Sequence, residues 1–138
     1  MFALTNSGGL AMSNAPDVCK VPSPGGLIPT PFPNMVQLTM ADPSAICKKV
    51  FICGSPALTV KSKFLLSSGD EAGVGGGVVS GKFIGPAQFV PLAGSSKVNF
   101  EGAKAVMMTA QTQHNGSANF NTLGLVSLGG QTKVLVAK

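Results

Sequence analysis

Between Asn14 and Asn34 the chain places six prolines, at positions 16, 22, 24, 29, 31 and 33, and no other feature constrains its folding more. Each proline fixes φ and removes a backbone donor, so neither a helix nor a central strand is expected to run through this segment. The alternation of Pro29, Pro31 and Pro33 forces an extended, polyproline-like path. The expectation is a loop wrapped over the core with Ile28 and Phe32 as packing anchors; a ligand for a proline-reading domain is the rival reading. Punctuation continues elsewhere, because 18 Gly and 10 Pro among 138 residues interrupt any long helix. Many short strands joined by tight turns are therefore expected. Hydrophobic residues make up 44% and charged residues 11% of the chain, too apolar a balance for disorder, and the length suits one domain with its own core.

A short motif recurs. Residues 46–53, ICKKVFIC, are expected to form a strand that turns at Gly54, Ser55 and Pro56 and returns through LTVKSKF. Aligning Lys49 and Val50 with Lys97 and Val98 brings Gly54 onto Gly102 and Ala57 onto Ala105, at a constant offset of 48. A third, truncated copy ends the chain at Lys133 and Val134, offset 36 from the second. Unequal offsets do not suit a solenoid, whose stacked units need a nearly fixed period. Three hairpin-like units packed pseudo-symmetrically around a shared core suit them better, since a lone hairpin is marginal in water.

Between the first two units, residues 67–89 open with Ser68 and Glu71 in capping-box spacing, with Asp70 favourably charged for a helix N-terminus. Gly73, Gly75, Gly76, Gly77 and Gly81 follow, each costly inside a helix. This allows one short helix or a glycine-rich loop. Residues 110–130, rich in Asn, Gly, Thr and Ser, are expected to form a long connecting loop.

Composition narrows function. The net charge of +5 comes with ten Lys, no Arg, no Tyr and no Trp, so guanine forks and most stacking platforms are missing, and nucleic-acid binding is not expected. No apolar run reaches 18 residues, so no membrane helix is expected. The N-terminal stretch lacks a basic lead and a sustained apolar core, which suggests synthesis in the cytosol without a cleaved signal. Glycines 73–81 fit neither a P-loop nor G-x-G-x-x-G. Cys19, Cys47 and Cys53 form no disulfide framework, being odd in number; on one strand Cys47 and Cys53 would lie about 20 Å apart. One histidine, His114, and no nucleophile elbow leave a hydrolase without support. The ligand inventory admits zinc, with Cys19 and His114 as the candidate metal ligands, although no pair has C-x₂₋₄-C or H-x₃₋₅-H spacing. Catalytic and cofactor-binding residues are not assigned.

Several stretches in order, MFALTNSGG, PDVCKVPSPGGLIPTPFPN, KKVFICGSPA, SSGDEAGVGGGVVSG, GSSKV and QTKVLVAK, resemble the PAAR-like family, in its Pro-Ile-Pro-Tyr signature branch. The signature residues here are Pro29, Pro31, Phe32, Pro33 and Asn34, with Phe in place of Tyr, which removes a hydroxyl and keeps the ring. The resemblance implies an all-β, small conical fold of three short hairpin units, spanning residues 1–138 as a single domain with no C-terminal effector extension. It implies a non-enzymatic tip that caps and sharpens the trimeric valine-glycine-repeat spike of a type VI secretion system, one cap per trimer, and helps recruit a separate effector or adaptor. Such a tip would be cytoplasmic until assembly and then delivered into the target cell on the spike. A phage-like or extracellular contractile baseplate tip is the alternative machine, and a small zinc-binding enzyme the alternative class. Better-known PAAR tips hold zinc near the apex with several His and a Cys, a pattern that one histidine does not meet.

Overall fold

The computed structural model describes residues 1–116 and 119–137, and within them the chain is all-β, with three single-turn 3₁₀ helices. In chain order the strands are β1 (Leu10–Ser13), β2 (Asp17–Ser23), β3 (Gly26–Phe32), β4 (Met35–Gln37), β5 (Phe51–Ile52), β6 (Ser55–Pro56), β7 (Lys63–Phe64), β8 (Ala87–Phe89), β9 (Asn99–Phe100), β10 (Ala103–Lys104), β11 (Gln111–His114) and β12 (Thr122–Leu128). Six of them make one antiparallel sheet in the order β4-β1-β12-β11-β8-β7. Bridges from Ala41 to Phe64 and from Met35 to Ser68 bring its two edges together, so the sheet nearly closes into a barrel. Closure removes the exposed edges that an open sheet would offer for aggregation.

The remaining short pairs form a threefold plug. Phe51 pairs with Pro56 across the first hairpin, Asn99 with Lys104 across the second, and Leu135 with Phe2 in a third. The third unit, which looked truncated in the sequence, is completed by the N-terminal residues. Ala57 N–H donates to Val50 O (3.1 Å), Ala105 N–H to Val98 O (3.0 Å) and Ala3 N–H to Val134 O (3.0 Å). The units also bond to one another cyclically: Val60 N–H to Lys104 O, Met108 N–H to Phe2 O, and Asn6 N–H to Pro56 O, at 3.0, 2.9 and 3.2 Å. Bridges Thr59–Ala105, Met107–Ala3 and Ala57–Thr5 repeat the same cycle. The two complete hairpins turn through Cys53-Gly54 and Glu101-Gly102, all four at positive φ, as a type I′ turn requires.

Side-chain alternation along these strands divides the core. Ala3, Ala57 and Ala105 point into a small cluster with Cys47, Ile52, Met107 and Val136. Their neighbours Leu4, Leu58 and Val106 point the other way, into the larger cluster shared with Val36, Phe64, Phe89 and Val126 of the sheet. Phe64 and Phe89 meet edge to face, with centroids 5.5 Å apart. The plug and the barrel therefore share one core.

Three expectations need correction. Residues 46–53 are not one strand: only Phe51 and Ile52 pair, and Cys47 sits in the turn before them, its N–H bonded to Ala57 O. Residues 110–130 are not a connecting loop but carry β11 and β12, central strands of the barrel. Apart from Val126, the inward positions Thr112, Thr122 and Gly124 are small or polar, so the usual apolar alternation is missing from most of this stretch. Of the two forms open to segment 67–89, the glycine-rich loop is the one adopted; the Glu71 carboxylate accepts from Gly69 N–H (2.9 Å) and so closes a turn. The proline segment forms a ribbon of two seven-residue strands, β2 and β3, where a loop was expected.

That ribbon tolerates its prolines through their phase. Pro29 and Pro31 sit opposite Lys20 and Val18. Lys20 bonds outward to Gly75 and Gly76, and Val18 O accepts from Val78 N–H. Those cross-strand pairs are thus non-hydrogen-bonded ones, where a missing N–H costs nothing. Phe32 is partly buried, but Ile28 is 53% exposed and anchors nothing.

Candidate functional site

The alternation of β2 puts Asp17 and Cys19 on the same, buried face. Asp70 reaches them from the glycine-rich loop, because Gly73 lies hard against the Cys19 side chain, where a Cβ would collide. Lys20 N–H to Gly76 O (2.9 Å) and Gly75 N–H to Lys20 O (2.8 Å) staple that loop to β2. Cys19 Sγ lies 3.5 Å from Asp17 Oδ1 and 3.5 Å from Asp70 Oδ2. One ligand-type atom from each of the three residues falls within 4.8 Å of the others.

Neutral amides surround the acids. Asn34 Nδ2 donates to Asp17 Oδ2 at 2.8 Å and to Ser67 Oγ at 3.2 Å. Asn115 Nδ2 reaches both Asp17 oxygens, at 3.3 and 3.4 Å, and Asn121 Nδ2 donates to Asp17 Oδ1 and, at 2.9 Å, to Val18 O. Asp70 Oδ2 accepts from Ile84 N–H at 3.3 Å. Asp70 Oδ1, fully buried, has no hydrogen-bond partner among the described residues.

His114 stands one residue behind this cluster. Its Nδ1 lies 2.8 Å from Asn34 Oδ1 and its Nε2 2.7 Å from Thr112 Oγ1. Because the Asn34 amide nitrogen is committed to Asp17 and Ser67, its oxygen must accept, so His114 carries its proton on Nδ1 and Nε2 accepts from Thr112. Burial pushes the His114 pKa down to about 4, against the opposing pull of Asp17. Burial, then the charges of Asp17 and Asp70, push the Cys19 thiol up to about 12. Asp70 is raised too, by burial first and by Asp17 second.

Of the two residues expected as metal ligands, the structure brings Cys19 into the acidic cluster and leaves His114 outside it, tied through Asn34. A histidine-rich zinc set does not fit here, because both nitrogens of the one histidine are taken. Asp17 and Asp70 were missed in the sequence. The Asp-Val-Cys alternation on one strand face was the signal for Asp17; Asp70 was masked by its resemblance to a helix-capping acid. Of the signature residues, Pro29, Pro31 and Phe32 lie in β3, while Pro31, Phe32 and Pro33 line an open groove of about 410 Å³. Asn34 is the buried link between His114 and Asp17.

A family model for the toxin PAAR-like domain matches residues 10–124. The chain belongs to the toxin PAAR-like family. No curated protein and no solved structure matches it. The match covers the ribbon, the acidic cluster and two of the three plug units of this PAAR-like chain. Residues 1–9 and 125–137 flank it, yet they supply the third unit and most of β12, so the threefold plug needs both flanks.

Proposed function

We propose that this PAAR-like chain is a non-enzymatic cap that seats on and sharpens the trimeric valine-glycine-repeat spike of a type VI secretion system, one cap per trimer. The observation that carries this reading is the cyclic set of bonds Val60–Lys104, Met108–Phe2 and Asn6–Pro56. A single chain that repeats one unit three times around an axis offers a threefold partner three similar contact surfaces without itself being a trimer. The chemistry of the buried cluster supports the non-enzymatic part. A thiol pushed to about 12 is a poor nucleophile near neutral pH, and His114 bonds to Thr112 and Asn34 and not to Cys19. In this reading the cap is made in the cytoplasm, joins the spike there, carries a separate effector or adaptor, and leaves the cell on the spike.

The test is stoichiometry. Mixed with the cognate spike protein and measured by native mass spectrometry, the cap is expected at one copy per three spike chains. A ratio of one to one, or no complex at micromolar concentration, overturns the proposal.

A further inference from the structure

We propose that Asp17, Cys19 and Asp70 form a binding site for one divalent metal ion of borderline softness, with Zn²⁺ the best match to a thiolate flanked by two carboxylates. The donor atoms are already gathered within 4.8 Å, on residues that are all buried. The second observation is of a different kind: Asp70 Oδ1 is a fully buried carboxylate oxygen with no hydrogen-bond partner among the described residues. Such an oxygen is costly to leave unsatisfied, and its neighbours Asp17 and Cys19 are acids, which offer no charge compensation. Asp17 is held by three amides, none of which neutralises it. A dication among the three side chains would satisfy the orphan oxygen and offset both carboxylates at once.

The fold assembles the cage before any ion arrives. Asp17 and Cys19 are fixed by the β2–β3 register, opposite Phe32 and Thr30, and Asp70 is fixed by Ile84 N–H and by the bond from Gly73 N–H to its own carbonyl (2.9 Å). His114, through Asn34, orients the Asp17 carboxylate, as outer hydrogen-bond partners do at metal centres. A thiolate in the set disfavours Mg²⁺ and Ca²⁺, which take oxygen ligands. Binding forms a metal–sulfur bond and releases the Cys19 thiol proton to water, so affinity must rise with pH.

The experiment uses the full chain alone, purified without chelator or a metal-binding tag, and needs no spike, so this inference and the capping reading fail separately. Elemental analysis after incubation with Zn²⁺ and desalting is expected to give about one metal per chain. Replacement by Co²⁺ should produce a thiolate-to-metal charge-transfer band in the near ultraviolet. Cys19→Ser should abolish that band, and the nearly isosteric Asp70→Asn should weaken Co²⁺ binding by more than the roughly 10- to 100-fold typical of losing an outer partner. Folding of each variant is checked by its amide NMR spectrum. No retained metal in folded wild-type protein overturns the proposal, as does cobalt binding without the band, or wild-type affinity in a folded Cys19→Ser variant. The wild-type cobalt spectrum decides the matter even if a variant does not fold.

Discussion

The plug and the acidic cluster both tie together segments far apart in sequence, and they use opposite chemistry. In the plug, residues 1–6, 47–60, 95–108 and 131–136 are joined by backbone bonds that recur three times, and the side chains inside are apolar: Ala, Leu, Val, Ile, Met and Cys. In the cluster, β2, β11, the glycine-rich loop and Asn34 are joined by side-chain bonds, none of which recurs. Backbone bonding is indifferent to side-chain identity, so repetition costs little in sequence and yields symmetry. A side-chain network is specific to its members, and loss of one leaves a buried partner unsatisfied. Even where the plug departs from its symmetry the substitution is local. Cys47 and Ser95 use backbone N–H to reach Ala57 and Ala105, and Gln131 uses its side-chain amide to reach Ala3. Each Lys-Val turn is then closed by one side-chain oxygen: Glu101 for Lys48 and Lys49, Ser95 for Lys97 and Val98, Gln131 for Lys133 and Val134.

The largest expected effect tests whether the plug is symmetric in energy as well as in bonding. Leu4 and Leu58 occupy equivalent, fully buried positions in different units. Leu4→Ala and Leu58→Ala should each cost about 2–5 kcal/mol of unfolding free energy by chemical denaturation, and should agree with each other within about 1 kcal/mol. Val106→Ala, the third equivalent, should cost less because fewer buried groups are removed. A Leu4→Ala cost well under half that of Leu58→Ala would mean that the N-terminal unit is a loosely attached arm and that the threefold is geometric only.

That same residue shows what the sequence could and could not reveal. The Lys-Val repeat and its turning glycines were legible because hairpins of one type demand Gly at fixed offsets. The third unit looked incomplete because its returning strand lies at the other end of the chain, although Ala3-Leu4-Thr5 copies Ala57-Leu58-Thr59 letter for letter. β12 was illegible for a different reason. Its inward face carries Thr122 and Gly124, since a Cβ at Gly124 would lie 2.5 Å from Met12 O and 2.7 Å from His114 Nε2. Leu123 and Leu128 face outward, and Val126 is left as the one large apolar side chain on the inward face, too few to mark a half-buried strand. The cluster was half legible: Cys19 and His114 stood out as ligand types, while Asp17 and Asp70 gained their meaning only from a fold that buries them side by side.

The second effect belongs to the cluster and depends on pH. The folded chain keeps His114 neutral down to about pH 4, whereas the unfolded chain takes up that proton below about pH 6.5. Between those values the unfolded state binds more protons, so stability falls as pH falls, by an amount on the order of 3 kcal/mol over the window. Asp70 acts with the opposite sign: its raised pKa contributes stability at low pH that is lost as pH rises through the folded-state value. Comparing wild type with His114→Gln separates the two, because Asp70 is common to both. The unfolding free energy of His114→Gln should fall less than that of wild type between pH 6.5 and 4, the difference being the His114 share. Parallel curves for the two proteins would show that His114 is not held neutral by its burial beside Asn34.

The smallest effect concerns the ribbon that carries Asp17 and Cys19, and it separates backbone phase from side-chain identity within one strand. Pro31 sits opposite Val18, whose backbone bonds outward to Val78, so its ring contributes no ladder bond and chiefly restricts the unfolded chain. Pro31→Ala should therefore cost only about 0.4–1 kcal/mol. Thr30 lies one residue away in the opposite phase, paired with Cys19. Thr30→Pro removes a donor from the hydrogen-bonded side of the ribbon and should cost several-fold more, with Cys19 losing its fixed place beside Asp70. Equal costs for the two substitutions, measured by thermal unfolding under one condition, would mean that the ribbon is held by the glycine-rich loop alone and that its internal pairing does not set the position of the cluster.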